Sequence, residues 1–259
     1  MLLPCGASAG LSAAFNAPLA GVLFSLEELH KDFSTDVLLS TMSASITADF
    51  ISRTLFGLGP VFSFPELSMM PLAHYWMVLL LGALLGLVGV FYNFCVAKAQ
   101  DLYAKIPGAY VRAVLPFLLA GVLLVVYPAV LGGGHNLVEA VSQDQALQGL
   151  LVLFAVKFLF SMASFGAGVP GGIFLPLLVL GAVVGSSFSQ GAHLLGLDTA
   201  TGNFVILGMA GLFAAIVRAP VTGIVLISEM TGSFSHLLGQ SGLCYSSHSY
   251  TTIQKNSGN

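Results

Sequence analysis

The sequence predicts an all-α, polytopic membrane protein, and three observations carry that prediction. Of 259 residues 56% are hydrophobic and only 7% charged, with a net charge of −3 and a mean hydropathy of +0.94. Soluble domains carry about 25% charged residues, so this chain lacks the polar surface that keeps a domain in water. Charge-free windows recur at lengths that match a bilayer core, which takes about 20 apolar residues to cross. Two proline-initiated apolar segments are copies of one another at a fixed offset. The composition excludes a soluble enzyme domain, a nucleic-acid binder with its basic patch, and a chain disordered as a whole. Cys5, Cys95 and Cys244 lie far apart and form no C-x-x-C pair, which reads as packing rather than as disulfides or zinc.

Taken in order, the charge-free windows cover residues 1–26, 37–48, 67–97, 113–138, 158–197 and 199–217, which predicts at least six helices. No Lys or Arg precedes Lys31, so the apolar start reads as mature membrane structure rather than a signal peptide, and its abruptness as a truncated start. The segment Asp36 to Phe56 is the most polar candidate span. Its Asp49 and Arg53 stand i,i+4 with the acid first, the favourable order on a helix surface. Lys98, Lys105 and Arg112 cluster after the long 71–97 segment and place that linker in the cytoplasm, leaving the Gly- and Pro-rich 57–71 connection outside. Gly6/Gly10, Gly82/Gly86 and Gly181/Gly185 repeat a small-x-x-x-small spacing that predicts close helix packing.

The repeated segments run from Ala13 to Glu27 and from Ala215 to Glu229, offset by 202 throughout, which aligns Pro18 with Pro220 and Glu27 with Glu229. Proline suits the first position of a helix and not its interior. A helix from Pro18 to Leu29 would be about 18 Å long against a core of about 30 Å, so each copy predicts a half-helix. Gly168-Val169-Pro170-Gly171-Gly172 predicts a third, ahead of Ile173. Broken helices in an internal repeat point to a transporter with its site near the bilayer midplane. A half-helix N-terminus offers free backbone N–H groups and partial positive charge, which suits a weakly held anion without a cationic side chain.

Gly172-Ile173-Phe174-Leu175-Pro176 resembles the G-x-F-x-P signature of the CLC family of chloride channels and chloride/proton exchangers. The preceding Gly-Val-Pro-Gly and the two Ala-Pro half-helices, ending in Leu-Glu-Glu and Ser-Glu-Met-Thr, are similar to the same family in the same order, over about Leu2 to Leu238. The resemblance implies an inverted-repeat helical fold in the lipid bilayer, a homodimer with one pore per subunit, and residence in the plasma (inner) membrane. It implies an anion site at Gly172, Ile173, Phe174 and Pro176, with the backbone amides of Ile173 and Phe174 on the chloride. It assigns internal proton transfer to Glu28, with Glu27 as its water-contacting neighbour, and it implies no cofactor. Intramembrane acids are functional candidates on physical grounds as well. Glu27 and His30 form an E-x-x-H without a second copy, so no metal site is expected. Glu229 reads as structural and Lys157 as paired or snorkelling.

Two signatures of the family, Gly-Ser-Gly-x-Pro and G-(K/R)-E-G-P, do not occur in this sequence. The expectation is a partial transmembrane domain over 1–238, with a divergent, disordered polar tail over 239–259, incomplete for transport as a single chain. A passive chloride channel and a non-transporting membrane fragment or degenerate gene product are the alternatives. Neither H-E-x-x-H nor G-x-S-x-G is present, so the chain does not read as an enzyme.

Overall fold

The computed structural model describes residues 2–31, 34–57, 61–62, 74–132, 134–142, 146–169, 171–197, 199–232 and 241–244, and among them secondary structure is helical throughout. Most of the 57–71 connection, Pro170, Tyr245 and Tyr250 lie outside the described residues. The helices are α1 (Leu2–Phe15), α2 (Pro18–Phe24), α3 (Thr35–Phe56), α4 (Tyr75–Ala104), α5 (Ala109–Val126), α6 (His135–Ser142), α7 (Leu147–Gly166), α8 (Phe174–Leu194), α9 (Thr201–Val217) and α10 (Pro220–Thr231). A π-helical turn, Ser25–His30, continues α2.

Among the described residues, α4, α7 and α8 are long and apolar enough to cross a membrane, fewer than the six expected. Helix α3 has the length, at 22 residues, but is too polar to join them. Its hydroxyls are nevertheless satisfied internally: Ser40, Thr41, Ser43, Thr47 and Thr54 donate to carbonyls three or four residues back. Ser45 and Ser52 reach across to the carbonyls of Pro18 and Ala13, while Ser8 and Ser12 of α1 donate in turn to the carbonyls of Thr41 and Ser45. Such interhelical hydrogen bonds hold helices where hydrophobicity supplies no drive. The predicted Asp49–Arg53 pair forms at 2.7 Å, and Arg53 also donates to the Asn16 carbonyl.

Helices α8 and α9 are the centre of the molecule and make its most extensive helix–helix contact. Gly181 and Gly185 permit it: a Cβ on either would collide with the α9 backbone at Gly208 or Phe204. Gly82 and Gly86 are buried on α4. Gly6 and Gly10, of the same spacing, meet no described residue, so the close approach expected of that pair is not made among the described residues.

Both proline-initiated half-helices form. Pro18 and Pro220 begin α2 and α10, with Ala17 and Ala219 at equivalent non-helical positions before them. The third expected half-helix does not: α8 continues for 21 residues, about 31 Å, long enough for a full crossing. Pro176 sits in its first turn, where proline interrupts nothing, and no breaker follows before Leu194. Within the segment expected to be a polar tail, residues 241–244 form a helical turn, and Leu243 and Cys244 are fully buried in the core.

Candidate functional site

The site is built around the break between α7 and α8. Gly168 takes φ +70°, a left-handed conformation suited to glycine, and the chain then passes through exposed Gly171, Gly172 and Ile173 to the start of α8 at Phe174. The backbone N–H groups of Gly172, Ile173 and Phe174 meet no acceptor among the described residues. They are the free donors of a helix N-terminus, reinforced by its dipole. The Phe174 ring anchors this end of α8: it contacts Phe15 of α1, Phe24 of α2 and Phe213 of α9 at centroid distances of 6.2, 5.1 and 5.3 Å. Sequence spacing identified Phe174 only as part of a motif and gave no sign of this cluster.

Two cavities meet at the break, and they divide the expected anion-site residues between them. The larger, about 620 Å³, is lined by Ile173 and Phe174 together with Glu28, Tyr92, Asn93 and Gln100. The smaller, about 290 Å³, is lined by Gly172 and Pro176 together with Lys157, Ser161, Ser164 and Phe117 of α5. Phe165, Val169 and Gly171 belong to both. Pro176 carries no N–H, so it contributes shape and not a hydrogen bond to an anion.

The two neighbouring glutamates occupy different environments. Both oxygens of Glu27 are engaged at the start of α10: they accept from the Val221 N–H at 3.3 Å, the Thr222 N–H at 2.8 Å and the Thr222 hydroxyl at 2.7 Å. Glu229 does the same for α2, accepting from the Leu19 and Ala20 N–H groups at 3.1 and 2.8 Å. Each half-helix therefore carries the carboxylate that caps the other. Glu28 has no hydrogen-bond partner among the described residues and is half-buried in the wall of the larger cavity. The π-helical turn that holds both acids widens the helix and ends at Lys31, in the left-handed region at φ 59°. Lys157, on α7, is buried, with its ammonium donating to the Val130 carbonyl at 2.6 Å and to that of Gly132 at 3.4 Å.

A family model described as voltage gated chloride channel matches residues 1–250. The chain belongs to that family. Among curated relatives, the H(+)/Cl(-) exchange transporter ClcA of Salmonella typhi is 37% identical over 247 residues, which cover 92% of this chain and 52% of the relative. The ClcA of Citrobacter koseri is 36% identical over 252 residues with the same coverage. The chain thus spans about half the length of the curated relatives it matches. Among solved structures, a slow cyanobacterial Cl-/H+ antiporter superposes with a TM-score of 0.87 at 30% identity, over 98% of this chain and 61% of the other. A CLC-type fluoride/proton antiporter, at 24% identity and a TM-score of 0.78 over 94% of this chain and 60% of the other, shares the fold. The expected helical membrane architecture of this voltage gated chloride channel family is therefore the one this chain has, and the chain is an integral membrane protein.

Proposed function

We propose that the chain carries part of a chloride/proton exchange pathway. In this reading the N–H groups of Ile173 and Phe174 bind the anion and Glu28 takes up and releases the proton. The observation that carries it is the shared cavity: Glu28, alone of the two adjacent acids in having no partner among the described residues, lines the same space as Ile173 and Phe174. Backbone dipoles hold an anion loosely enough to release it, as transport requires. A carboxyl group in the wall of a half-buried cavity within the membrane is suited to relay protons. Asn93 and Gln100 lie on the half of α4 that leads to Lys98 and Lys105, so the positive-inside rule opens this cavity toward the cytoplasm.

By resemblance Glu27 is the water-contacting neighbour of Glu28, and its bonds to the start of α10 add a structural part to that role. Its carboxylate fixes the start of α10 and thereby sets the position of Glu28 on the same turn. The names of the curated relatives support exchange over passive conduction. The proposal includes a homodimer in the complete protein and residence in the plasma (inner) membrane, both by resemblance to the family.

The test joins this chain to the upstream half of one of the ClcA relatives and reconstitutes the product in liposomes. Glu28→Gln is expected to abolish chloride-driven proton uptake while chloride flux persists. Proton uptake that survives the substitution at an unchanged proton-to-chloride ratio removes Glu28 from the pathway.

A further inference from the structure

Helix α5 meets the rest of the molecule along one narrow stripe. None of its described side chains is fully buried, and the half-buried ones, Arg112, Ala113, Pro116, Ala120 and Leu123, fall on a single helix face. Three of them, Ala113, Pro116 and Ala120, open onto the smaller cavity, whose opposite wall includes Phe160 and Phe165 of α7. The cavity is elongated. It reaches from Ala113 to Ala120 on α5 and from Phe165 back to Lys157 on α7, about two helical turns on each. The Lys157 ammonium is already engaged by the Val130 and Gly132 carbonyls, so this wall suits an apolar occupant. Interiors are close-packed, and a gap of about 290 Å³ between two helices forfeits contacts on both sides unless something fills it.

The charge beside this cavity points independently to the same occupant. Arg112 directly precedes Ala113, so it stands at the end of the cavity nearest the α4–α5 turn. Lys98, Lys105 and Arg112 are three of the eight Lys and Arg residues in the chain, gathered around that turn. Asp101 is the acid in this stretch and is exposed; the ion pair among the described residues is Asp49–Arg53, so the three cations have no fixed countercharge there. The Arg112 Nε is shielded from solvent and has no hydrogen-bond partner among the described residues. A buried guanidinium donor calls for an acceptor, and its planar fork fits a phosphate. Around these cations Phe94, Leu102, Tyr110 and Val111 expose apolar surface, and the Lys98 ammonium lies 5.7 Å from the centre of the Phe94 ring. Cations rising from exposed apolar surface mark the level at which hydrocarbon gives way to headgroups.

We propose that an anionic phospholipid of the cytoplasmic leaflet binds at this corner, its phosphodiester held by Arg112 and Lys105 within the field of Lys98, and one acyl chain lying in the cavity between α5 and α7. The chain fills the gap that the small side chains of α5 leave, and the headgroup supplies the acceptor that Arg112 lacks. A free phosphate would meet the charge and leave the gap open. This site goes beyond the Glu28 reading and stands or falls without it.

The test adds dioleoyl phosphatidylglycerol or dioleoyl phosphatidylcholine to the full chain in detergent and measures bound lipid by native mass spectrometry, with glycerol 3-phosphate as competitor. Phosphatidylglycerol is expected to bind about tenfold more tightly than phosphatidylcholine, and glycerol 3-phosphate to displace neither. Arg112→Gln is expected to lower the preference for phosphatidylglycerol by about fivefold. Ala120→Phe fills the cavity from the α5 side, so it should weaken both lipids and leave the preference between them. A phosphatidylglycerol with a diazirine in its acyl chain is expected to label Phe117 or Phe160 on light activation. Equal binding of the two lipids, an unchanged preference in Arg112→Gln, displacement by glycerol 3-phosphate, or labelling confined to the exposed face of α4 overturns the proposal. Should Arg112→Gln fail to fold, Lys105→Gln and Ala120→Phe decide: a full preference in the first, or undiminished lipid binding in the second, overturns it.

Discussion

Glu27 and Glu229 stand 202 residues apart in equivalent places, and each completes the helix that the other one's segment begins. The first N–H groups of a helix have no partner within it, and inside a membrane an unmet donor is expensive. A carboxylate meets two of them at once and adds a charge of the sign that the helix N-terminus favours. Glutamine keeps one oxygen and the side-chain length but loses the charge and the second acceptor. Glu27→Gln and Glu229→Gln are therefore each expected to destabilise the chain by about 1–2 kcal/mol, measured as a lowered thermal midpoint in detergent. Each acid caps the helix that carries the other, so the two sites are coupled and the double variant should depart from the sum of the single losses. A Glu229→Gln variant as stable as the parent would show that the bonds to Leu19 and Ala20 contribute nothing. The repeat makes the equivalence of these acids legible in the sequence, and Glu229 as structural with it. That each reaches the other's helix is not legible there, since it depends on the half-helices lying side by side in opposite directions. Glu28 can be singled out by its motif, but only the geometry separates its free carboxylate from the engaged one beside it.

Among the helices, one spacing has two outcomes. Gly6/Gly10 and Gly181/Gly185 are indistinguishable as patterns, yet the first pair meets no described residue and the second lies against the α9 backbone. Gly185→Ala places a methyl against the Phe204 carbonyl, where only backbone movement can make room. Separating the two most extensively packed helices should cost about 2–4 kcal/mol. Gly6→Ala meets no described residue and replaces a poor helix former with the best, so it should be neutral or stabilising by up to about 1 kcal/mol. Unfolding of the two variants in parallel checks this, and equal losses would contradict the α8–α9 contact. Proline is a legible signal where it starts a helix after a non-helical residue, as at Pro18 and Pro220. The break before α8 is legible too, but the length of α8 is not, because Gly171 and Gly172 interrupt the chain without limiting the helix beyond them. That length is decided by the next twenty or so residues, which contain no breaker after Pro176.

At the scale of the molecule, helices that cross the bilayer in succession must alternate in direction, and this fixes which surfaces face each compartment. If the linker after α4 is cytoplasmic, α3 ends outside, α4 runs inward and α5 outward, α7 returns inward, and α8 leads out again to Leu195. The sequence carries this topology only as far as its few cationic residues allow; a half-helix reading of α8 leaves its direction and its far end undefined. The alternation can be checked with single cysteines in a background where Cys5, Cys95 and Cys244 are replaced by alanine. Phe56, Ala104 and Leu195 are exposed at three different turns, with Phe56 and Leu195 exposed at 87% and 81%. In sealed vesicles of known orientation, a membrane-impermeant maleimide should reach Phe56→Cys and Leu195→Cys from the outside and Ala104→Cys from the cytoplasmic side. Leu195 is the discriminating position: an α8 that stopped half-way would leave it near the midplane, shielded from both sides. Labelling of Leu195→Cys from the same side as Ala104→Cys, or from neither side, would break the alternation on which the placement of both cavities depends.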